Sequence, residues 1–550
     1  MLAQCTLFVL LLQVTSSWAV PTRAAKRAGP TVRLDDATVT GVANGTVNKF
    51  LGIPYVQPPI GSLRLRQPHP ITSYNQSFSA TTYGPICPQQ LQKLVLPDDV
   101  PAIVSEEMGS IGAPVDLPIS EDCLTVNIIA PADATPDSKL PVVLWIFGGG
   151  FEIGYPSSTD GSILVNQSVS LGTPVVYVSL NYRLNIFGFL ASEEVQDAGI
   201  GNLGLQDQRQ AMRWFQQYIT QFGGDPSKVT IWGESAGAIS VGAQLVANKG
   251  NNEGLFRAAI MDSGAPLWLG NITHGQPYYD HIVDETGCSN SSDTLDCLRN
   301  APFEALMSAT NSTPNMFSYQ ALATAWIPRV DGVFLTDNPQ QLVKQGSIAD
   351  VPFINGVNDD EGTLFSFTTL NVTTDDELLT YIQTYYAPNA TSDEIEHVLS
   401  SYSSDPVYGS PFNTSNQNAL TPQFKRIAAV LGDMTFQGPH RFLLQERSAM
   451  QPTWAYLYKR GKSTPYLGSD HGSELTNAYG GGDLAAYFIR FVANLDPNGN
   501  NVDVEWPKYT TDSPSLLTLL DGDIPLNITQ DDYRVEAIQA MNALMLKYPF

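Results

Sequence analysis

Residues 222–237 read FGGDPSKVTIWGESAG, in which a glycine-rich loop, an apolar run and a glycine-flanked serine follow one another. The loop closes one helix, and the run at 229–232 predicts a strand. Ser235 then lies on a sharp strand-to-helix turn, which requires small residues two positions away on either side. Gly233 and Gly237 meet that requirement. The pattern therefore predicts a nucleophilic serine, whereas an ordinary glycine-bordered turn is the alternative.

A serine hydroxyl is a weak nucleophile unless a base activates it, so we searched the six histidines of the chain. In hydrolases with such a turn, the base follows the acid, which follows the serine. His69, His274 and His281 come too early in the chain, and His397 lies in a charged helical stretch, which leaves His440 and His471. His440 begins a helical pattern, where a surface or capping role is expected. His471 is favoured because it lies in the glycine-bounded loop 468–472, which can carry an imidazole to another strand's end.

The acid and the oxyanion pocket each follow a predicted strand. A buried strand at 351–356 is followed by Asp359, Asp360 and Glu361, and the residues alone leave the choice among these three carboxylates open. The apolar strand 141–147 is followed by three glycines, 148–150, whose bare backbone can approach a substrate. Together with the amide after the serine, these glycines can supply the donors for an oxyanion.

With these pieces assembled, the chain resembles the type-B carboxylesterase and lipase family of α/β-hydrolases, and within it the fungal lipases and sterol esterases. The resemblance spans nearly the whole chain. The stretches that carry it are FLGIPYVQPPIGSLRL (50–65), SEDCLTVNI (120–128), WIFGGGFEIG (145–154), FGGDPSKVTIWGESAG (222–237), NDDEGTLF (358–365) and the loop around His471.

The resemblance implies a role for each matching position. It implies Ser235 as nucleophile, Glu361 as acid and His471 as base, and it implies oxyanion donors, which are the amides of Gly149, Gly150 and Ala236. The chain departs from the animal cholinesterases, because Phe147 replaces their histidine before the glycines and no tryptophan occurs at 88–122. Choline esters are therefore not expected as substrates.

The segment 88–122, between Cys87 and Cys123, is unusually apolar for a loop. One apolar stripe comprises Leu91, Leu94 and Val95, and a second comprises Val100, Ile103, Val104 and Met108. Both predict short amphipathic helices. They could simply pack on the body, but the resemblance favours a mobile lid over the active site, and exposed apolar surface of this kind marks interaction sites.

The predicted fold is α/β: a large central, mostly parallel sheet flanked by helices, forming one domain over residues 28–550. Continuous apolar runs suit strands covered on both faces. Such runs occur at 141–147, 174–181, 229–232 and 454–458. Helices are predicted at 206–218 and 533–548, the second of them capped by Asp531 or Asp532.

The beginning of the chain predicts export. Residues 1–19 combine a short apolar core with a small-residue cleavage site, as in a signal peptide, and Lys26-Arg27 could end a propeptide at 20–27. Four cysteines lie beyond this segment, and they permit three pairings. The resemblance selects Cys87 with Cys123 and Cys288 with Cys297, and an oxidising compartment would preserve both bonds.

Ten sequons and the net charge complete the prediction of a secreted glycoprotein. The candidate asparagines are Asn44, Asn75, Asn166, Asn271, Asn290, Asn311, Asn371, Asn389, Asn413 and Asn527. A formal charge of −25 disfavours nucleic-acid partners. No metal-ligand spacing is found, so we expect neither a metal nor another cofactor. The expected partner is an ester substrate, a lipid at an interface, with no integral membrane anchor, and dimers could form through the lid.

The sequence thus predicts a secreted serine ester hydrolase that acts through a Ser-Glu-His triad and an acyl-enzyme. Fatty-acid esters of glycerol, sterols or other bulky alcohols are the expected substrates. A general carboxylesterase acting on soluble short-chain or phenolic esters is the alternative within enzymes. The fold also occurs in adhesion proteins that lack the nucleophile, so a non-catalytic binding module is a second alternative.

Overall fold

The computed structural model describes residues 29–93, 117–500 and 502–550. Within these ranges the chain forms the following strands: β1 Thr31–Leu34, β2 Ala37–Thr40, β3 Val42–Asn44, β4 Val47–Pro54, β5 Phe78–Ser79, β6 Thr125–Pro131, β7 Leu140–Ile146, β8 Val176–Leu180, β9 Gly224–Glu234, β10 Ala258–Asp262, β11 Phe353–Asn358, β12 Thr453–Lys459, β13 Ser515–Leu520 and β14 Leu526–Gln530.

The helices surround these strands. In chain order they are α1 Ser162–Ser170, α2 Asn185–Phe189, α3 Glu193–Asp197, α4 Leu203–Tyr218, α5 Ala236–Gly250, α6 Gln276–Glu285, α7 Thr294–Asn300, α8 Phe303–Asn311, α9 Pro339–Lys344, α10 Thr363–Ser366, α11 Asp375–Tyr385, α12 Ser392–Leu399, α13 Phe424–Gly432, α14 Gly438–Arg447, α15 Leu475–Tyr479, α16 Asp483–Asn494 and α17 Val535–Lys547. A π-helical turn at Asp433–Gln437 joins α13 to α14.

The main sheet has 11 strands in the order β14-β13-β12-β11-β10-β9-β7-β8-β6-β4-β3. Neighbours from β13 to β8 are parallel, whereas β14 at one edge and β6, β4 and β3 at the other are antiparallel. A second sheet contains β1, β2 and β5. The predicted mostly parallel α/β sheet is confirmed. Because parallel strands end at the same edge, the residues that follow β7, β9 and β11 come together there.

The strands are parallel and central because their side chains are apolar on both faces. Every residue of β8 and β10 is buried, and Trp232 of β9 is fully buried between Trp145 and the ring of Tyr479. The four predicted strands all form. Helix α4 begins at Leu203, three residues before the predicted start, because Leu203 and Leu205 extend its buried face.

One predicted helix cap is wrong. Helix α17 begins at Val535, and its N-cap residue is Arg534, whose side chain makes no capping hydrogen bond. Asp531 lies too early in the chain to cap the helix, and its carboxylate instead forms a buried ion pair with Arg441. Burial of that ion pair explains why this aspartate is unavailable to the helix.

Several predictions concern residues outside the described ranges. The predicted signal peptide and the predicted propeptide lie there, as does most of the predicted lid. Leu91, the first residue of the first apolar stripe in the predicted lid, lies within the described ranges and is exposed. Disulfide bonds join Cys87 to Cys123 and Cys288 to Cys297, the pairing that the resemblance implies. Of the ten sequon asparagines, all but the half-buried Asn311 are exposed.

Candidate active site

Ser235 occupies the turn between β9 and α5 with φ 55° and ψ −125°. This left-handed conformation strains a residue with a side chain, and the surrounding packing holds it in place. A Cβ atom on Gly233 would lie 2.4 Å from the backbone of Gly237, and one on Gly237 would lie 2.0 Å from the carbonyl oxygen of Ile146. Only glycine fits at either position, so these two residues permit the close packing around the turn.

His471 lies beside this turn, in the loop between β12 and α15. Its Nδ1–H donates to Oε2 of Glu361 over 2.6 Å. The rings of Phe436 and Phe365 pack on the imidazole, with centroid distances of 4.5 and 5.3 Å, and the side chain is 8% exposed. Its Nε2 has no hydrogen-bond partner among the described residues, and it lies 3.3 Å from Oε1 of Glu234. The imidazole is therefore oriented by Glu361 but does not hydrogen-bond to Ser235.

The three candidate carboxylates after β11 differ in their partners, although Lys462 contacts both Asp359 and Asp360. Asp359 pairs with Lys459 at 3.2 Å and with Lys462 at 2.8 Å. Asp360 accepts hydrogen bonds from the amides of Phe412 and Ser469, at 2.7 and 2.8 Å. These partners hold the loop.

Of the three, Glu361 is the carboxylate that contacts a histidine. It is 1% exposed, and its second oxygen accepts from the amide of Asn358 at 2.7 Å. The contact with His471 therefore distinguishes Glu361 from Asp359 and Asp360. A carboxylate fixed in this way selects the imidazole tautomer with a free Nε2.

The glycines after β7 bring bare backbone close to Ser235. A Cβ atom on Gly148 would lie 2.9 Å from Cβ of Ser235. Gly149 and Gly150 have φ values of 103° and 64°, which favour glycine. Their amides donate no hydrogen bond to the described residues. The amide of Ala236 opens α5, and first-turn amides lack an intrahelical acceptor.

A cavity of about 250 Å³ connects these groups. Ser235 and His471 lie on its wall, together with Gly149, Gly150 and Ala236. The remaining lining is predominantly apolar and includes Ile239, Leu267, Trp268, Leu269, Met316, Phe317, Leu322, Ile327, Leu364, Phe365, Phe436 and Phe550. We call this space the acyl cavity. It can accept an apolar chain beside the serine hydroxyl.

Sequence reasoning missed a cluster of buried acids beneath the cavity. Glu234 precedes the serine, and Glu474 follows His471 by three residues and accepts from the Ser263 hydroxyl over 3.4 Å. Asp262 ends β10 and accepts from the indole N–H of Trp232 over 2.7 Å. Burial raises the pKa of Glu234 to about 7 and that of Asp262 to about 8, and it raises the pKa of Glu474 well above its usual range.

These acids alter the imidazole. Burial by itself lowers the pKa of His471, but the hydrogen bond and charge of Glu361, with the charges of Glu234 and Glu474, raise that pKa to about 9. The signal in the sequence was the position of Glu234 inside the serine motif. Its burial could not be inferred there, because the residue before the serine can face either side of the turn.

His440, the alternative base, does not reach the acyl cavity. The expectation of a surface or capping histidine is wrong, because the residue is fully buried within α14. Its Nδ1 lies 3.1 Å from Oδ1 of Asn355 on β11. Burial lowers the pKa of His440 to about 4, so the ring is neutral. The imidazole lies between α14 and β11 of the main sheet.

The described residues contain no helix with both the length and the apolarity needed to cross a bilayer. Likewise, no group of three or more His, Cys, Asp or Glu side chains in the described ranges could hold a metal ion.

Comparison with known proteins places this geometry in a family. A secreted lipase of Botryotinia fuckeliana is 40% identical, with 93% of each chain covered. A secreted triacylglycerol lipase of Gibberella zeae is 38% identical, with 96% of this chain and 92% of the relative covered. The crystal structure of Aspergillus niger EstA superimposes with a TM-score of 0.82 at 28% identity, covering 96% of this chain and all of that one.

The predicted secretion is confirmed by relatives that are themselves named as secreted. The sequence model of the carboxylesterase family matches residues 28–534, which is most of the chain. The protein therefore belongs to the carboxylesterase family and is a carboxylic ester hydrolase.

Proposed function

We propose that the protein is a lipase that cleaves fatty-acid esters of glycerol, sterols or other bulky alcohols through a Ser235-Glu361-His471 triad. The observation that carries this proposal is the acyl cavity, whose apolar wall includes both Ser235 and His471, with the imidazole fixed by Glu361. A soluble short-chain ester would need little of that apolar lining. The names of the two secreted relatives add support, since both are lipases and one is a triacylglycerol lipase.

In the first step, the neutral form of His471, whose fraction increases as pH rises toward the pKa of about 9, takes the proton of the Ser235 hydroxyl at Nε2, and the serine oxygen attacks the ester carbonyl carbon. Nε2 is the available atom because Nδ1 is committed to Glu361. The imidazolium then donates its proton to the leaving alcohol oxygen, which departs and leaves the acyl group on the serine. Glu361 stabilises the positive ring throughout, because its carboxylate is buried against it.

Water completes the cycle. His471 accepts a proton from the incoming water, whose oxygen attacks the acyl-enzyme carbonyl, and the imidazolium returns that proton to Ser235 as the fatty acid leaves. The oxyanion of both tetrahedral intermediates would be held by the amides of Gly149, Gly150 and Ala236. Loss of one such donor typically costs about 3 kcal/mol of transition-state stabilisation.

His471 and Ser235 are not hydrogen-bonded in the free enzyme, and the two groups must approach when substrate binds. Catalytic hydrogen bonds are often long in free enzymes and shorten in the substrate complex. We propose that the imidazole turns away from Glu234 and toward the hydroxyl, since His471 and Ser235 border the same cavity.

The sequon asparagines that are exposed are proposed to carry glycans.

The direct test is Ser235→Ala, with Ser240→Ala as the matched control. Ser240 is a fully buried serine in the same helix and accepts a hydrogen bond from Gln208. We expect Ser235→Ala to lower kcat by at least about 10⁴-fold with unchanged folding, and Ser240→Ala to keep its activity. Full ester turnover by Ser235→Ala would refute the proposal and would favour a binding module or another nucleophile.

The substrate class is tested by rate against acyl length, with dissolved and emulsified esters. A lipase is expected to prefer long acyl chains and to gain activity at the emulsion surface. Preference for dissolved butyrate esters, with no gain on emulsions, would instead assign a general carboxylesterase.

A further inference from the structure

A second cavity, of about 530 Å³, lies beside the acyl cavity. The ring of Phe550 lies in the wall of both spaces. The second cavity is bounded by Tyr278 of α6 and Tyr385 of α11, and by Arg329 on the segment before α9. No step of the proposed hydrolysis uses this space.

Arg329 is the unusual feature of the second cavity. It is 3% exposed, and no ion pair found among the described residues involves it. Within the part of the chain that the structure describes, its buried Nε has no hydrogen-bond partner, and its guanidinium carbon lies 5.6 Å from the centroid of the Phe550 ring. A buried charge without a counter-ion is costly, so such groups normally have one.

The described lining of the second cavity differs in charge from the chain as a whole. The lining of the second cavity contains no Asp or Glu, although the chain has 54 acidic residues against 29 basic ones. The other titratable groups in that lining are His274, Tyr278 and Tyr385. Burial and the charge of Arg329 both lower the pKa of His274, so its imidazole is neutral. Burial lowers the pKa of Arg329 to about 10, which leaves the guanidinium charged at neutral pH.

Three polar residues, Thr273, Thr384 and Asn389, also line the second cavity, and the rest of the lining is apolar or aromatic. Pro277, Ala323, Pro388 and Pro549 contribute alongside the two tyrosines and Phe550. An inorganic anion would leave these surfaces without a partner, whereas an alkyl chain would cover them. The guanidinium fork matches a carboxylate, which it can bind through two parallel hydrogen bonds.

We propose that the second cavity binds the carboxylate of an alkyl-chain acid, with the Arg329 guanidinium as its counter-ion. This inference rests on the proposed function, since fatty acids are the products of that reaction. It adds a product-binding site that is separated from Ser235 by the ring of Phe550 and requires no contact with the triad.

The test measures equilibrium binding of decanoate by calorimetry, without turnover. Arg329→Met is expected to weaken decanoate binding by at least about tenfold, because a charge-assisted hydrogen bond is lost. Arg329→Lys should retain part of the affinity. The backbone of Arg329 exchanges two hydrogen bonds with the Asn202 side chain, and these survive the substitution. Folding of Arg329→Met is therefore expected to be intact, and its thermal midpoint is measured alongside.

Arg299→Met is the matched control. Arg299 is also buried with an unpartnered Nε, but it lies outside both cavities. Its replacement should leave decanoate affinity unchanged. Thr384→Trp, at an exposed position on the cavity wall, should weaken decanoate binding by occupying the space. If Arg329→Met fails to fold, the decanoate affinity of Thr384→Trp tests the proposal instead.

Decanol and sulfate separate the chain from the charge. Decanol should bind at least about tenfold more weakly than decanoate, and sulfate should not displace decanoate at equal concentration. The proposal is overturned if decanoate binds equally to Arg329→Met and Arg299→Met, if decanol matches decanoate, or if sulfate binds as tightly. Hydrolysis is assayed separately, so an active enzyme without this binding leaves the proposed function intact and rejects only the second site.

Discussion

Two histidines of this protein are both shielded from water, and their surroundings give them opposite properties. His440 is fully buried in α14 beside the neutral amide of Asn355, and burial lowers its pKa to about 4. His471 is 8% exposed, and Glu361, Glu234 and Glu474 raise its pKa to about 9 against the effect of burial. Desolvation acts on both rings in the same direction, so the neighbouring charges decide the outcome.

This contrast separates a structural histidine from one suited to proton transfer. A general base must accept a proton from the serine, and a partner that stabilises the imidazolium favours that step. His471 has such a partner at 2.6 Å, whereas His440 has an amide that serves the neutral ring equally well.

The largest expected effect comes from exchanging each ring for an amide. His471→Asn should lower kcat/KM by about 10⁴-fold, because the variant lacks the proposed acceptor of the serine proton. His440→Asn should change kcat/KM less than about threefold in the fraction that folds. The measurement is ester hydrolysis by the two purified variants, with the folded fraction of each determined by circular dichroism. Equal losses in both variants would erase the distinction between the two histidines.

The sequence predicted the parts of this site that depend on local pattern. The turn at Ser235 could be predicted because glycine is required at 233 and 237, and the strands because they are continuous apolar runs. The loop position of His471 favoured it as the base for a similar reason. Each of these features is encoded within a few neighbouring residues.

Other features depend on contacts between distant segments and could not be read locally. Glu474 meets Ser263 across 211 positions, and Asp531 pairs with Arg441 instead of capping α17. His440 begins a helical pattern in sequence but is buried by β11 in the fold. The pairing of Glu361 with His471 likewise spans 110 positions, which is why three carboxylates remained open.

A second prediction concerns stability. Since the folded pKa of His440, about 4, lies below the usual 6.5, the unfolded chain binds this proton first as pH falls. The contribution of His440 to stability is therefore complete above about pH 6.5 and is lost as pH falls toward 4. Between pH 7 and pH 5 the free energy of unfolding should drop by about 2 kcal/mol more in the wild type than in His440→Gln.

Urea unfolding at the two pH values measures this difference. The contribution of His471 to stability has the opposite pH dependence. Because its pKa is raised, this contribution is complete below about pH 6.5 and is lost as pH rises through about 9. A His440→Gln variant with the same pH dependence as the wild type would show that this ring is not held neutral.

The smallest expected effect is a shift in the pH profile. Glu234 lies 3.3 Å from Nε2 and raises the pKa of His471, so Glu234→Gln should lower that pKa. Because the base must be neutral to act, the acid limb of kcat/KM should move to lower pH in this variant. Glu152→Gln is the control, since Glu152 is equally buried but is not among the groups that raise the pKa of His471. If the acid limb of kcat/KM does not move in Glu234→Gln, or moves equally in Glu152→Gln, then Glu234 does not raise the pKa of His471.

The most direct test of the central claim is to inactivate the enzyme with a long-chain alkylphosphonate ester and locate the modification by peptide mass spectrometry. We expect one phosphonyl group per chain on the peptide that contains Ser235. Activity should be lost in proportion to labelling, and His471→Asn should not react. Complete inactivation with the group on a different residue, or full activity with Ser235 modified, would contradict the central claim.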